Sequence, residues 1–265
     1  MSVTILIPAR YESGRFPGKP LAMLKGADGI SKSLIHRSWD VAMAVPGVDA
    51  VYVVTDDERI QAAANAFGAK VLMTSSECRN GTERCAEAVQ SYNIDSQIVI
   101  NLQGDAPLTP VWFVEALIAA MRNDASAQMT TPVLRCDRET YENFLDDRRN
   151  GRVGGTTAVF NHAMQALYFS KEVIPFTGDL PAAAEIPVFH HVGVYGYRPE
   201  ALTAYGSWDV GPLEQLEGLE QLRFLENGVP ISCVEVEARG RVFWELNNPV
   251  DVERIESVLA REAQV

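Results

Sequence analysis

The first half of the chain alternates short apolar runs with longer amphipathic segments. The runs VTILI, AVYVVT, KVLM and QIVINL are continuous and rich in β-branched residues, as expected of strands buried on both faces of a parallel sheet. Between them, SLIHRSWDVAMAV, DDERIQAAANAFG and PVWFVEALIAAMRN carry apolar residues at near-helical spacing. Strands alternating with helices predict an α/β fold with a doubly wound, mostly parallel sheet, in which ligands bind beyond the carboxyl ends of the strands.

Capping and turn residues set the expected ends of these helices. Ser31 is expected to cap the first helix, and Gly68 to close the second. A further helix is expected from Thr82 through Tyr92, with Thr82 as its cap. Pro110 stands near the start of the helix that follows QIVINLQGD.

The chain changes character from about Cys136, where a polar, glycine-punctuated segment begins. The strand-like runs TTAVF, ALYFS and HHVGVYGYR follow, and we expect them to form a smaller antiparallel elaboration of the sheet. PLEQLEGLEQLRFLENG has a leucine at every third position and predicts one amphipathic helix. A last helix is expected from Pro249 to Glu262. Because no repeat or linker separates the halves 1–135 and 136–265, residues 1–265 are predicted to form a single domain.

The composition of the chain excludes several classes of function and location. The 265 residues carry 23 Lys and Arg against 35 Asp and Glu, a net charge of -12, which argues against nucleic acid or an anionic membrane as the partner. The four cysteines lack the close paired spacing of a structural zinc site. No run is long enough for a signal-peptide core or a membrane helix. We therefore expect a cytoplasmic protein with reduced thiols and no membrane insertion.

The loop IPARYESGRFPGKPL concentrates positive charge in this acidic chain. Arg10, Arg15 and Lys19 could neutralise a polyphosphate, and Gly14 and Gly18 let the backbone approach it. The loop is not a Walker A motif, because only three residues separate its glycines and a proline follows the lysine. A phosphate site and a solvated basic turn both remain open from these residues alone.

Three other stretches carry candidate chemistry. In NLQGDAP, Asp105 follows a buried strand and could ligate Mg²⁺, although Gly-Asp is also a common turn pair. NGTER begins a helix, and two interpretations are open. Its first amides could contact a base or a sugar, or the segment could be a capped surface helix. The adjacent His190 and His191 are either structural or catalytic. No Ser, His, Asp order supports nucleophilic hydrolysis.

Together with ALYFSKEVIPF, HHVGVYGYR and PLEQLEGLEQLR, these stretches resemble, in order, the motifs of the 3-deoxy-manno-octulosonate cytidylyltransferase (CMP-Kdo synthetase) family. The resemblance runs from Val3 to about Val258. It implies a nucleotide-sugar transferase fold, a homodimer and a requirement for Mg²⁺. It also implies coupling of CTP to the sugar acid Kdo in the cytoplasm, with release of pyrophosphate, for lipopolysaccharide synthesis. Residues 1–135 would then bind the nucleotide, and residues 136–265 the sugar and the second subunit.

The resemblance also implies a role for each matching residue. The catalytic residues would be Arg15, Lys19 and Asp105. CTP would be bound by Ala9, Arg10, Ser13, Thr74, Gly81, Thr82 and Arg84. The sugar acid would meet Gln103, His191, Tyr195, Glu214, Glu217 and Gln221. The metal would be held by Asp105 and Asn247.

Several positions depart from the family pattern. Asn247 stands where the family has its second metal-binding aspartate, Ala106 where it has glutamate, and Thr157 where it has lysine, and GADGISKS replaces the usual segment after Lys25. These changes leave three interpretations. The protein is a Kdo cytidylyltransferase, it performs the same reaction on another sugar acid such as 8-amino-Kdo or a nonulosonate, or it is a weakly active or non-catalytic regulatory homologue.

Overall fold

The computed structural model describes residues 1–12, 14, 16–153, 155–241, 246 and 248–262. The strands are β1 (Val3–Pro8), β2 (Met23–Lys25), β3 (Ser31–Ser33), β4 (Ala50–Thr55), β5 (Lys70–Met73), β6 (Ile98–Leu102), β7 (Met129–Arg135), β8 (Thr156–Phe160), β9 (Ala166–Ser170), β10 (Phe189–His191), β11 (Val194–Tyr197) and β12 (Ile231–Val236). The helices are α1 (Leu34–Ala44), α2 (Glu58–Ala66), α3 (Gly81–Ser91), α4 (Val111–Asn123), α5 (Arg138–Arg149), α6 (Pro199–Ser207), α7 (Pro212–Glu217), α8 (Leu222–Glu226) and α9 (Asp251–Glu262). A short 3-10 helix spans Lys19–Leu21.

The four apolar runs of the first half form the parallel part of the main sheet, in the order β5-β4-β1-β6. Ile5 in β1 lies between Val51 of β4 and Ile100 of β6. Every residue of β1 and β6 is buried. The α/β fold class is confirmed by this sheet and by the solved structure described below.

The second half extends the same sheet with antiparallel pairs. Strand β11 pairs antiparallel with β6, so the two halves share one sheet. The run HHVGVYGYR, predicted as one strand, forms β10 and β11, which both lie against β7 and are separated at Val192 and Gly193. The amide of Val194 bonds back to the carbonyl of Val192 at 2.7 Å, which interrupts the ladder there.

Helices cover both faces of the sheet. Because side chains alternate along a strand, Ile5 and Ile7 of β1 face α1, α2 and α4, whereas Leu6 faces α3, α6 and α8. Helix α9 packs over the β2-β3 hairpin, where Leu246 joins Leu24 and Ile255 in a smaller apolar cluster. The four cysteines are free thiols.

The start of the first helix differs from the prediction. Ser33, not Ser31, caps α1, and its Oγ accepts the amide of His36 at 3.4 Å. Ser31 is instead part of β3, which pairs with β2 as a hairpin. The pairing draws the three residues Ser31–Ser33 into extended structure and moves the helix start.

The leucine-rich segment is two short helices, α7 and α8, and not the single helix predicted. Gly218 has φ 61°, and its amide bonds to the carbonyl of Glu214 at 2.7 Å, which ends α7. A three-residue repeat drifts about 60° per step around a helix of 3.6 residues per turn, so five leucines cannot share one buried stripe. Accordingly, Leu216 is 84% exposed while Leu222 is fully buried.

Gly196 in β11 has no room for a side chain. A Cβ there would lie 2.6 Å from Oγ1 of Thr130 and 2.9 Å from Sδ of Met121. We expect Gly196→Ala to lower the free energy of unfolding by about 1–3 kcal/mol, the usual cost of overpacking, measured by urea denaturation. Gly206→Ala in α6 is the control, because its nearest neighbour, Cβ of Ala86, would lie at an ordinary 3.5 Å. Equal stability of the two variants would contradict the packing argument.

Candidate active site

The cationic loop leaves the sheet at the carboxyl end of β1. The amide of Ala9 bonds to the carbonyl of Val54 at 2.9 Å, which holds the start of the loop against β4. The amide of Gly18 bonds to the carbonyl of Tyr11 at 2.8 Å and closes the loop. Gly18 has φ 71°, a conformation that favours glycine, and it directs the chain into the 3-10 helix that begins at Lys19.

The other cations of the loop are less fully described. Arg10 is exposed, and its Nη1 donates to the carbonyl of Arg79 at 3.3 Å, just ahead of α3. Ser13 and Arg15 lie outside the described residues. The loop therefore presents Arg10 and Lys19 within the described part of the chain.

Lys19 meets the turn that follows β6. Its Nζ lies 2.7 Å from Oδ2 of Asp105. The turn can approach β1 because Gly104 has no side chain, and a Cβ at that position would lie 2.8 Å from the carbonyl oxygen of Pro8. The amide of Leu246 bonds to the carbonyl of Asp105 at 2.9 Å, so the chain after β12 returns to the same turn.

The donors at this turn fit a magnesium ion shared with substrate. Among the described residues there is no group of three or more His, Cys, Asp or Glu side chains that could enclose a metal. Mg²⁺ does not require such a cage, since it is commonly held by one or two carboxylates together with substrate phosphates and water. Asp105 supplies a carboxylate of that kind, and Asn247 lies outside the described residues.

The start of α3 is capped by Asn80 and is hydrogen-bonded to β11. Asn80, not Thr82, is the cap, because Oδ1 of Asn80 accepts the amide of Glu83 at 2.8 Å. Thr82 is fully buried, and its hydroxyl lies 3.0 Å from that of Tyr197 in β11. The threonine that the sequence suggested as a cap thus joins the helix to the sheet.

Arg84 points from α3 to the ends of β4 and β5. It is only 2% exposed, with Nη1 2.6 Å from Oγ1 of Thr74 and Nη2 3.2 Å from Oδ1 of Asp56. Gly81 lies against Gln103, since a Cβ there would be 3.0 Å from Nε2 of Gln103. The first turn of α3 and the turn after β6 are therefore in contact.

Three residues assigned to the sugar side form one group on β10, β11 and the segment before α8. The hydroxyl of Tyr195 donates to Oε1 of Gln221 at 3.2 Å, and the rings of His191 and Tyr195 are 5.7 Å apart. Nε2 of His191 lies 3.0 Å from Oγ1 of Thr131. Burial lowers the pKa of His191 to about 3, so its imidazole is neutral near pH 7.

The two glutamates of α7 have partners within the protein. Oε1 of Glu217 accepts the hydroxyl of Ser170 at 2.6 Å, and its Oε2 accepts the amide of Lys171 at 2.9 Å. Glu214 is 7% exposed and receives two hydrogen bonds from Arg223.

Glu220 belongs to the site although the sequence did not single it out. Its carboxylate accepts Nε2 of Gln103 and the amide of Thr82, each at 3.0 Å. Burial raises the pKa of this carboxyl group. The sequence offered one signal for Glu220, which is its position three residues after Glu217. Under the single-helix interpretation, however, Glu220 could not be distinguished from the neighbouring glutamates.

These contacts bring most of the predicted residues to one edge of the sheet. Lys19, Asp105, Gln103, Gly81 and Thr82 are joined directly or through Glu220. Tyr195, His191 and Gln221 form the adjacent group. A cationic loop beside a carboxylate, at the carboxyl ends of parallel strands, can hold a polyphosphate and a divalent cation.

The fold and this edge define an α/β nucleotidyl-transferring enzyme. The sequence profile described as Cytidylyltransferase matches residues 4–235, and the chain belongs to that family. The resemblance stated from the motifs is confirmed by this match together with the relatives and the solved structure that follow.

The similar proteins cover the whole chain. The 3-deoxy-manno-octulosonate cytidylyltransferase of Maricaulis maris is 48% identical over 265 residues, 100% of both chains. The 8-amino-3,8-dideoxy-manno-octulosonate cytidylyltransferase of Shewanella amazonensis is 40% identical over 261 residues, 98% of this chain and 99% of the other. A solved CMP:2-keto-3-deoxy-manno-octonic acid synthetase in complex with CTP has a TM-score of 0.84 at 32% identity, covering 99% of this chain and 100% of the other. Within the described part of the chain, no helix is both long and apolar enough to cross a bilayer.

His191, which is buried, and His190, which is half-buried, make the free energy of unfolding depend on pH. The folded-state pKa is lowered by burial to about 3 for His191 and about 4 for His190, below the ordinary value of 6.5. Between pH 6.5 and about 4 the unfolded chain binds protons that the folded chain does not, so stability falls as pH falls, by up to ~1.4 kcal/mol per pH unit for each group. His191→Gln should reduce this slope in urea unfolding measured from pH 4.5 to 7.5.

The control is His162→Gln, because His162 is exposed. An unchanged slope in His191→Gln, or an equal reduction in His162→Gln, would contradict the assignment.

Proposed function

We propose that the protein transfers the cytidylyl group of CTP to the sugar acid Kdo and releases pyrophosphate, in the cytoplasmic route to lipopolysaccharide. The observation that carries this proposal is the pair of Lys19 and Asp105, with Nζ and Oδ2 2.7 Å apart where the loop after β1 meets the turn after β6. It stands in a chain 48% identical, end to end, to a relative named for this reaction.

In the proposed reaction, the anomeric hydroxyl oxygen of the sugar acid attacks the α-phosphorus of CTP in line. The bond from that phosphorus to the bridging oxygen breaks, pyrophosphate leaves, and the hydroxyl proton is lost to solvent. Lys19 and Arg15 donate to the phosphate oxygens and offset their growing charge. Mg²⁺, when bound, would neutralise phosphate charge and lower the pKa of the attacking hydroxyl.

The two substrates occupy adjacent groups of residues. CTP lies on the loop after β1 and on the start of α3, where its assigned contacts are Ala9, Arg10, Ser13, Thr74, Gly81, Thr82 and Arg84. The sugar acid meets Gln103, His191, Tyr195, Glu214, Glu217 and Gln221. Because the imidazole of His191 is neutral, it contributes hydrogen bonding and shape and no charge.

The proposal also covers assembly and location. The two halves act as one domain, which is supported by the pairing of β6 with β11. Two copies form a homodimer through the second half, where Leu167 is 63% and Phe176 96% exposed. A cytoplasmic location is supported by the free thiols and by the use of CTP.

A second sugar acid is the alternative acceptor. Thr157 stands where the family has lysine, and it is fully buried with its hydroxyl 2.6 Å from the carbonyl of Glu172. This position therefore supplies no cation to a substrate, and a relative named for the 8-amino sugar is 40% identical. The regulatory interpretation is favoured by Asn247 and disfavoured by the complete pair of Lys19 and Asp105.

Pyrophosphate release tests the choice of acceptor. With CTP and Mg²⁺, we expect Kdo to give the highest kcat/KM, 8-amino-Kdo a lower value, and neuraminate the lowest. Asp105→Asn should lose about 10²–10³-fold in kcat, the usual cost of removing one preorganised charge-stabilising group. Faster turnover of 8-amino-Kdo would favour the alternative acceptor. No pyrophosphate with any of the three would exclude the catalytic interpretations.

Asn247→Asp tests the second metal ligand. An amide oxygen can bind Mg²⁺ but contributes no charge, so the carboxylate should lower the Mg²⁺ concentration for half-maximal activity several-fold and tighten Mn²⁺ binding seen by electron paramagnetic resonance. Asn248→Asp is the matched control, because Asn248 is bonded to Asp251. The backbone amide of Asn248 donates to Oδ2 of Asp251 at 2.7 Å. Equal metal dependence in wild type and Asn247→Asp would remove Asn247 from the site.

A further inference from the structure

Arg223 is the centre of a buried ionic network that joins the two substrate-binding groups. It is fully buried, and its Nε and Nη2 donate to the two carboxylate oxygens of Glu214 at 2.6 and 2.7 Å. Its Nη1 donates to Oε1 of Glu83 at 2.9 Å. The guanidinium carbon lies 4.1 Å from the ring centroid of Tyr205. One side chain thus holds α3, α6 and α7 together.

The network continues to the cationic loop. Oε1 of Glu83 accepts a hydrogen bond from Nε of Arg79 at 2.9 Å, and Oε2 of Glu83 accepts one from the backbone amide of Arg79 at 2.7 Å. The carbonyl of Arg79 in turn accepts Nη1 of Arg10 at 3.3 Å. A contiguous chain of contacts therefore runs from the loop after β1 to Glu214 in α7.

Asn80 ties the same elements together by a second route. Its Oδ1 caps α3, while its Nδ2 donates to the hydroxyl of Tyr205 at 2.9 Å and lies 3.4 Å from Oε1 of Glu214. The first turn of α3 is therefore linked to α7 both through Asn80 and through Arg223. The position of this turn also sets the distance between the amide of Thr82 and the carboxylate of Glu220, which orients Gln103.

We propose that Arg223 is a positioning residue that couples the binding of the nucleoside triphosphate to the binding of the sugar acid. The inference rests on the proposed function. A triphosphate seated on the loop and on the first turn of α3 fixes one end of the network, so the sugar-binding residues are already ordered when the acid arrives. The free-energy cost of ordering the network is incurred only by the first ligand to bind. Each ligand therefore raises the affinity for the other by the same factor.

Equilibrium binding measures this coupling without catalysis. The dissociation constant of Kdo is measured by calorimetry in the absence and presence of α,β-methylene-CTP, with Mg²⁺ throughout. We expect wild type to bind Kdo at least ~5-fold more tightly with the analogue present, the lower end of common coupling factors. Glu83→Gln removes one charge of the network and leaves the assigned ligand contacts in place, so the factor should fall below ~2-fold while each binary affinity stays within ~2-fold.

Glu87→Gln is the matched control. Glu87 lies one turn further along α3 and accepts the amide of Ser75 at 2.7 Å, outside the network. Its replacement should leave the coupling factor unchanged. Arg223→Lys keeps the positive charge but lacks the paired donors of the guanidinium group. Combined with Glu83→Gln, it should lower the coupling factor no further, because both changes break the same network. Urea unfolding of each variant separates lost stability from lost coupling.

The outcomes distinguish the two proposals. If wild type binds neither ligand, both the proposed function and the coupling are wrong. If both ligands bind but wild type shows no coupling, or Glu83→Gln keeps the wild-type factor, the positioning role of Arg223 is wrong and the proposed function stands. A lower unfolding midpoint in Glu83→Gln with an unchanged coupling factor would also reduce the network to a structural role.

Discussion

The parallel pairing of β1 with β6 is the constraint on which the rest of the structure depends. Both strands are buried along their whole length, and their register sets Leu6 beside Asn101. Parallel neighbours end at the same edge, so the loop after β1 and the turn after β6 emerge together. The two can lie side by side because residue 104 is glycine, since a Cβ there would lie 2.8 Å from the carbonyl oxygen of Pro8. The contact between Lys19 and Asp105 is a consequence of this pairing.

The parts of the fold that depend on local pattern were predictable from sequence. Continuous apolar runs predicted the four parallel strands, and the rule that ligands bind at the carboxyl ends of such strands applies to both the cationic loop and the turn at Asp105. The errors arose where two local signals compete. Asn80 and Thr82 are both capping residues, and the choice was decided by the hydroxyl of Tyr197, which is distant in sequence. The leucine repeat favoured one continuous helix, although Gly218 is a residue type that commonly ends a helix.

The network around Arg223 could not be predicted, because its contacts are long-range. Glu83 and Arg223 are 140 positions apart, and Thr82 and Glu220 are 138 apart. A charged residue in an amphipathic segment is ordinarily solvated, and no local pattern distinguishes one that is buried. Burial of Arg223 is tolerated because two carboxylates and an aromatic face satisfy it, whereas loss of one partner from a buried ion pair costs about 3–5 kcal/mol.

The electrostatics of the site fit an anionic substrate in a chain of net charge -12. Before substrate binds, Lys19 and Asp105 neutralise each other, with side chains only 14% and 29% exposed. A triphosphate alone would take Lys19 and leave Asp105 facing a polyanion, which is unfavourable. A triphosphate that arrives with a divalent cation replaces one ion pair by two, phosphate with Lys19 and cation with Asp105. Under the proposed function, this arrangement of charges favours the metal-bound form of the nucleotide over the free polyanion.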